Sequence, residues 1–200
     1  MSSISIAGDT SGSVILTVPA AAGSSTITLP AGTGTAAVQG VSTNIVSGTA
    51  QTAPPTTPQY FDFTGIPSWV KRITVMFNAV STSGTSNYIA QIGSASGGIE
   101  TSGYLASVST VGASTATYSS FTAGFGVMEN ITAAANVYYG TLTICLQGSN
   151  LWVAGLSMGG NRSATGGGTK TLSSTLDRIR ITTVNGTDTF DAGTINILYE

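Results

Sequence analysis

Few residues in this chain invite a chemical reading. Gly155-Leu156-Ser157-Met158-Gly159 matches the G-x-S-x-G pattern, in which a strained turn between a strand and a helix exposes an activated serine. That chemistry needs a base to take the serine proton, and the chain contains no histidine. Lys170 is an alternative base, but nothing in the spacing places it near Ser157. The pattern also falls in a strand-like run with no helical stretch behind it, so Ser157 reads as an ordinary serine. Paired carboxylates could hydrolyse a glycan. The candidates are Asp9, Asp62, Glu100, Glu129, Asp177, Asp188 and Asp191, and no pair of them sits among aromatic residues of the kind that grip sugar rings. They read as turn and loop acids.

The metal and phosphate chemistries are equally thin. There is no Cys/His cluster and no acid-rich calcium loop, and Asp188 to Asp191 reads as a polar turn rather than a weak Ca²⁺ site. Gly166-Gly167-Gly168-Thr169-Lys170 is glycine-rich but lacks the strand–GxxxxGK–helix context of a phosphate cradle, so it reads as a flexible loop tip able to make contacts. Cys145 is the single cysteine and is expected to be a small buried hydrophobe in a strand. The sequons at Asn130, Asn161 and Asn185 carry little information in a chain this rich in Ser and Thr. The expectation is a non-enzymatic protein with no cofactor and no metal.

The elements that would position any site are strands. Ile73, Val75 and Phe77 alternate with Thr74, Met76 and Asn78, and Leu142, Ile144 and Leu146 alternate with Thr141, Thr143 and Cys145. Further strands are expected at Tyr88 to Ile92, Tyr118 to Val127, Trp152 to Met158, Leu176 to Val184 and Thr194 to Tyr199. Met128 to Asn136 reads as a loop or one helical turn. Asn185-Gly186 supplies the positive φ values of a tight turn, with Asp188 and Asp191 in the loop before the last strand. In that strand Ile195, Ile197 and Tyr199 face one way, and it ties the C-terminus into a sheet. Polar turns without intervening helices point to an all-β fold, an antiparallel β-sandwich of jelly-roll-like type.

The first 57 residues are organised differently. Val14, Leu16 and Val18, then Ile27 and Leu29, form short alternating runs, each closed by a proline, with an 11-residue echo between them. Such strands are too short to bury a core alone, so they either add to the main sheet or pair with neighbouring chains as an extended β arm. Ala53-Pro54-Pro55-Thr56-Thr57-Pro58 is stiff and extended and reads as the linker, which gives an arm over 1–57 and a sandwich domain over 58–200.

Composition bounds the partners. Charged residues make up 7% of the 200, against roughly a quarter in an ordinary soluble domain, so the surface must be hydroxyl and amide and self-association is favoured. No Asp, Glu, Lys or Arg occurs between Asp9 and Asp62, from Thr101 to Met128, or from Asn130 to Asn161. A net charge of -2 and no cationic cluster larger than Lys71-Arg72 argue against nucleic acid. No window approaches the roughly 18 apolar residues of a membrane helix, and none reads as a secretory signal. Of the aromatics, Tyr60, Phe61, Phe63, Tyr138, Tyr139 and Trp152 are expected mostly in the core, and loop-borne Trp69 and Tyr104 at contacts.

Ser11-Gly12-Ser13-Val14-Ile15-Leu16-Thr17-Val18-Pro19-Ala20, continuing to Thr35, resembles a segment common in tail-fibre and capsid-decoration proteins of tailed bacteriophages. So does the ending Ala192-Gly193-Thr194-Ile195-Asn196-Ile197-Leu198-Tyr199-Glu200. Phe63-Thr64-Gly65-Ile66-Pro67 leading into Lys71-Arg72-Ile73-Thr74-Val75 looks like the opening strand of the globular tip in such proteins. The resemblance implies a homotrimer of β-sandwich domains attached to the virion through its N-terminal parts. Partners would then be the major capsid protein or tail proteins, and host surface glycans for a receptor-binding tip. The chain has no heptads, collagen triplets or long β repeat of a fibre shaft, which favours a capsid decoration (cement) protein over a short tail-fibre tip. Contact loops are expected at Ser81 to Ser86, Asn161 to Thr171 and Asn185 to Asp191, with Ser83, Gly84, Arg162, Gly167, Lys170, Asn185 and Asp188 as the candidate contact residues.

Overall fold

The computed structural model describes residues 3–7, 13–17, 45–53 and 59–200. The run at Ile27 and Leu29 and the proline segment 54–58 lie outside the described residues. Two compact units divide the chain, Met1–Ser42 and Thr43–Glu200. In the first, β1 (Ser3–Ala7) pairs antiparallel with β2 (Ser13–Thr17), with Ser3 opposite Thr17 and Ile6 opposite Val14.

The second unit is all-β. In chain order its strands are β3 (Val46–Ser47), β4 (Gln51–Thr52), β5 (Tyr60–Thr64), β6 (Arg72–Thr82), β7 (Tyr88–Ser94), β8 (Gly98–Ile99) and β9 (Tyr104–Val111). Then follow β10 (Ala116–Phe121), β11 (Phe125–Met128), β12 (Tyr138–Gly148), β13 (Leu151–Gly160), β14 (Ser163–Thr171), β15 (Leu176–Thr183) and β16 (Phe190–Tyr199). Among the described residues there is no helix. A nine-stranded sheet runs β10-β9-β14-β13-β12-β6-β16-β3, with β4 also on β16, and a five-stranded sheet runs β11-β7-β15-β5, with β8 on β7. All pairings are antiparallel, and the two sheets are consistent with a β-sandwich.

Alternation decides which side chains reach the core. On the large sheet Ile73, Val75, Phe77, Leu142, Ile144, Trp152, Leu156, Ile195 and Ile197 are buried, and the five-stranded sheet contributes Phe61, Phe63, Tyr88, Ala90, Ile92, Ile179 and Ile181. Phe190 lies between the Phe61 and Tyr88 rings, with centroids 5.0 and 5.7 Å away, and Tyr88 meets Tyr138 edge-on at 6.0 Å. β7 is buried along its whole length because the segment after β10 covers its other face, where the Gln91 side-chain amide donates to the Ala123 carbonyl at 2.8 Å.

Several expectations are corrected. The compact unit starts at Thr43 rather than at 58, because β3 and β4 pair with the free edge of β16. Tyr118 to Val127 is two strands in different sheets, separated by residues 122–124. Gly166 to Lys170 is no loop tip: it lies inside β14 between β13 and β9. The glycines are there because the neighbours come too close for side chains; a Cβ on Gly166 would lie 2.4 Å from the Ser107 carbonyl oxygen. The last strand begins at Phe190, which places Asp191 in a strand rather than a loop. Cys145 is exposed, since Leu142 and Ile144 point inward and the odd-numbered residues of β12 point out. Tyr104 is fully buried in β9; its hydroxyl accepts from the Ile92 N–H at 2.8 Å and donates to the Glu100 carbonyl at 2.9 Å.

Met128 to Asn136 takes the loop alternative, with a turn closed by Asn136 N–H on the Ala133 carbonyl. The C-terminus is tied down: the Glu200 N–H donates to the Arg72 carbonyl, the Lys71 and Arg72 N–H groups donate to the Glu200 carbonyl, and the Arg72 and Glu200 side chains form an ion pair.

Candidate functional site

The strand connections gather five of the seven candidate contact residues at one end of the second unit. Ser83 and Gly84 lie between β6 and β7, Asn185 and Asp188 between β15 and β16, and Arg162 in the β13–β14 turn. The first two loops are bonded together. The Ser83 N–H donates to the Thr189 carbonyl at 2.8 Å, and the Thr189 N–H donates to Ser83 Oγ at 3.0 Å. Asp188 accepts from the Ser86 N–H (2.9 Å) through Oδ2 and from the Asn185 side-chain amide (2.7 Å) through Oδ1. The Asn185 N–H donates to Ser86 Oγ at 3.0 Å, and Asn185 Oδ1 accepts from the Thr187 and Asp188 N–H groups, an Asx turn around Gly186 at φ +66°. The Asp188 oxygens are thus committed to holding the crest together.

Gly84 completes this crest by having no side chain, since a Cβ there would lie 2.1 Å from the Asp188 carboxylate. Gly84→Ala must therefore expel the carboxylate from the two donors it serves. Gly84→Ala and Asp188→Ala are each expected to cost about 1 kcal/mol, and the double variant no more than either alone, measured by a denaturant double-mutant cycle.

Arg162 stands apart, donating to Thr115 Oγ1 at 3.1 Å across to the β9–β10 turn. The remaining two candidates are elsewhere. Gly167 sits mid-strand, opposite Gly155 and Ser107. Lys170 lies toward the opposite end and is buried: its ammonium pairs with Glu100 Oε2 at 2.6 Å, donates to the Ser102 carbonyl at 2.9 Å and lies over the Tyr104 ring. Ser157 and Lys170 point to opposite faces of the large sheet, Ser157 exposed across from Thr165 and Lys170 buried across from Trp152. No Ser–Lys dyad forms. Among the described residues no three of His, Cys, Asp and Glu come together as a metal-binding group.

Two surfaces escaped the sequence reading. One is a groove of about 400 Å³ beside β5, lined by Ser47, Thr49, Gln51, Asp62, Thr64 and Tyr199 among others. At its side Arg180 makes a two-pronged pair with Asp62 (2.7 and 2.6 Å) and stacks over Tyr60 at 3.7 Å. Asp62, by its hydrogen bonds to the guanidinium, raises the Arg180 pKa despite partial burial, so the arginine is held as a permanent cation. The other is the outer face of the nine-stranded sheet. One transverse row reads Ser120, Ser107, Gly167, Gly155, Thr143, Thr74 and Leu198, and the next reads Tyr118, Ser109, Thr165, Ser157, Thr141, Met76 and Asn196. Neither row contains an Asp, Glu, Lys or Arg. The charge-free stretches of sequence were a signal for this face, because they supply most of its strands.

No family model matches the chain, no curated protein is similar to it, and no solved structure matches it.

Proposed function

We propose that this chain is a non-enzymatic structural protein of a tailed-bacteriophage virion, a trimeric decoration (cement) protein of the capsid surface that bridges and stabilises capsomers. The observation that carries this reading is the uncharged outer face of the large sheet, a surface of Ser, Thr, Gly and a few apolar side chains suited to permanent contact. A separate N-terminal unit with its own two-stranded sheet is compatible with attachment to a second protein. A jelly-roll-like sandwich suits such a role, and the resemblance in the N-terminal, opening-strand and C-terminal segments points the same way.

A second reading, the receptor-binding tip of a short tail fibre, is favoured by the bonded crest of Ser83, Gly84, Asn185 and Asp188, whose polar groups could meet host surface glycans. Stoichiometry separates the two. Quantitative mass spectrometry of purified particles is expected to give a ratio to the major capsid protein near one for a cement protein. A ratio of a few per cent selects the tail, and absence from particles overturns both.

A further inference from the structure

Five of the nine large hydrophobic side chains exposed in the second unit lie on one surface, the outer face of the nine-stranded sheet: Leu105, Val111, Tyr118, Tyr139 and Val153. Leu105 is 75%, Tyr118 66% and Val111 55% exposed, and all three stand on the neighbouring strands β9 and β10. Beside them Leu105, Ser107, Tyr118 and Ser120 border a depression of about 280 Å³. The residues between are Ser, Thr and Gly. From β10 across to β12 no outward side chain is Asp, Glu, Lys or Arg; the ionic groups stand at the margins, as Arg162 in the β13–β14 turn and the Arg72–Glu200 pair at the far corner.

That distribution, charge at the rim and none in the middle, is one that protein–protein interfaces share. The dimensions agree. With β6, β16 and their Arg72–Glu200 margin included, seven strands about 4.8 Å apart span about 29 Å, and the outward residues of β13, one of the longer strands, cover about 27 Å along the strand. The resulting area is roughly 800 Å², what each partner contributes to a stable standard-size interface. The edge of the same surface is also unprotected: β10 ends the sheet with six residues that include neither a charge nor a proline.

We propose that this face is the surface through which the chain binds a second copy of itself, sheet face against sheet face. A copy suits it better than a charged partner, because a face without net charge meets itself without repulsion and its hydroxyls both donate and accept. It suits it better than a glycan, because its two tyrosines stand on strands β10 and β12, separated by three strands, and form no stacking platform. The proposal rests on the function proposed above and goes beyond its trimer, because a face that meets its own copy pairs chains two at a time about a two-fold axis.

The test uses the full chain. Ser157 and Thr165 are exposed cross-strand neighbours at the centre of the face, and Ser157→Lys with Thr165→Lys places like charges there in every copy. Sedimentation velocity is expected to show the wild type associating and the double variant dissociating with a Kd raised about a hundredfold. Thr187→Lys on the loop crest should associate like the wild type. A double variant that associates as tightly as the wild type overturns the proposal, as does a wild type that is monomeric throughout.

A second measurement needs no substitution. Cys145 lies exposed on the same face, opposite Val153. Its alkylation rate is expected to fall as protein concentration rises through the association range, and a flat rate overturns the proposal. A monomeric chain abundant in particles would sink this surface and leave the virion role standing; a chain that self-associates through this face but is absent from particles would do the reverse.

Discussion

Glu100→Ala is expected to lower the unfolding free energy by about 3 kcal/mol, and Lys170→Met by only about 1 kcal/mol, although the two residues share one ion pair. The asymmetry comes from what each substitution leaves behind. The Lys170 side chain is 7% exposed and Glu100 18%. Without Glu100, the ammonium is held in a dry position with the Ser102 carbonyl and the Tyr104 ring as its remaining partners. Without the lysine charge, the carboxylate still accepts from the Ser173 N–H at 2.9 Å and from Ser173 Oγ at 2.7 Å, and it has some access to water. Urea unfolding of both variants checks the order, and equal losses would refute this account.

The same pair sets a pH dependence. Burial by itself would raise the Glu100 pKa, but the hydrogen bonds from Lys170 and Ser173 and the lysine charge outweigh it and hold the carboxyl below its ordinary value. A carboxyl more acidic in the folded than in the unfolded chain contributes stability above the unfolded value, and that contribution is lost as pH falls through the folded one. The gap between wild type and Glu100→Ala is therefore expected to be constant near neutrality and to narrow below about pH 4.3.

Gly193→Ala is the other large effect, expected at about 3 kcal/mol. Gly193 sits at φ +88° where the pairing of β6 with β16 shifts register, facing Ala79, itself at φ +53°. An added Cβ would meet the Ala79 carbonyl oxygen at 2.4 Å and the Asn78 carbonyl oxygen at 2.6 Å, both backbone atoms of a central strand. Backbone strain and collision therefore add. Gly186→Ala separates them, because Gly186 shares the left-handed conformation at φ +66° but has nothing within 4 Å of the added carbon. It should lose only about 1 kcal/mol. A midpoint shift at unchanged m-value is the readout for both.

These positions also show what could be read from the chain and what could not. β6, β12, β13 and β15 were legible because β-branched and large apolar residues alternate with polar ones in each. The same parity rule placed Cys145 on the threonine face of β12, and the expectation that it is buried gave residue type more weight than register. β14 was hidden because close approach of its neighbours demands glycines, and three in a row look like a loop. β9 was hidden because its apolar residues fall on both faces: Tyr104 and Val108 are buried while Leu105 and Val111 are exposed, and a Thr, Thr110, points inward. The loops at Ser83 and Asn185 were visible as turns from their Ser, Gly and Asn content. That they bond to each other was not visible, since 102 positions separate Ser86 from Asp188 and only the return of the chain through both sheets joins them. The charge-free stretches were visible as well, but their assembly into one face depends on a strand order that no local pattern encodes.

The placement of β16 has a consequence for the time course of synthesis. β6 is complete by residue 82, and its partners on either side are β12 and β16. Until residues 190–199 have left the ribosome, one edge of β6 has no partner, Phe190 has not entered between Phe61 and Tyr88, and β3 and β4 have nothing to pair with. Once β12 has paired with β6, the sheet therefore stays open along one β6 edge until β16 arrives. Such long-range closure is slow, and the open intermediate is prone to stick to its neighbours.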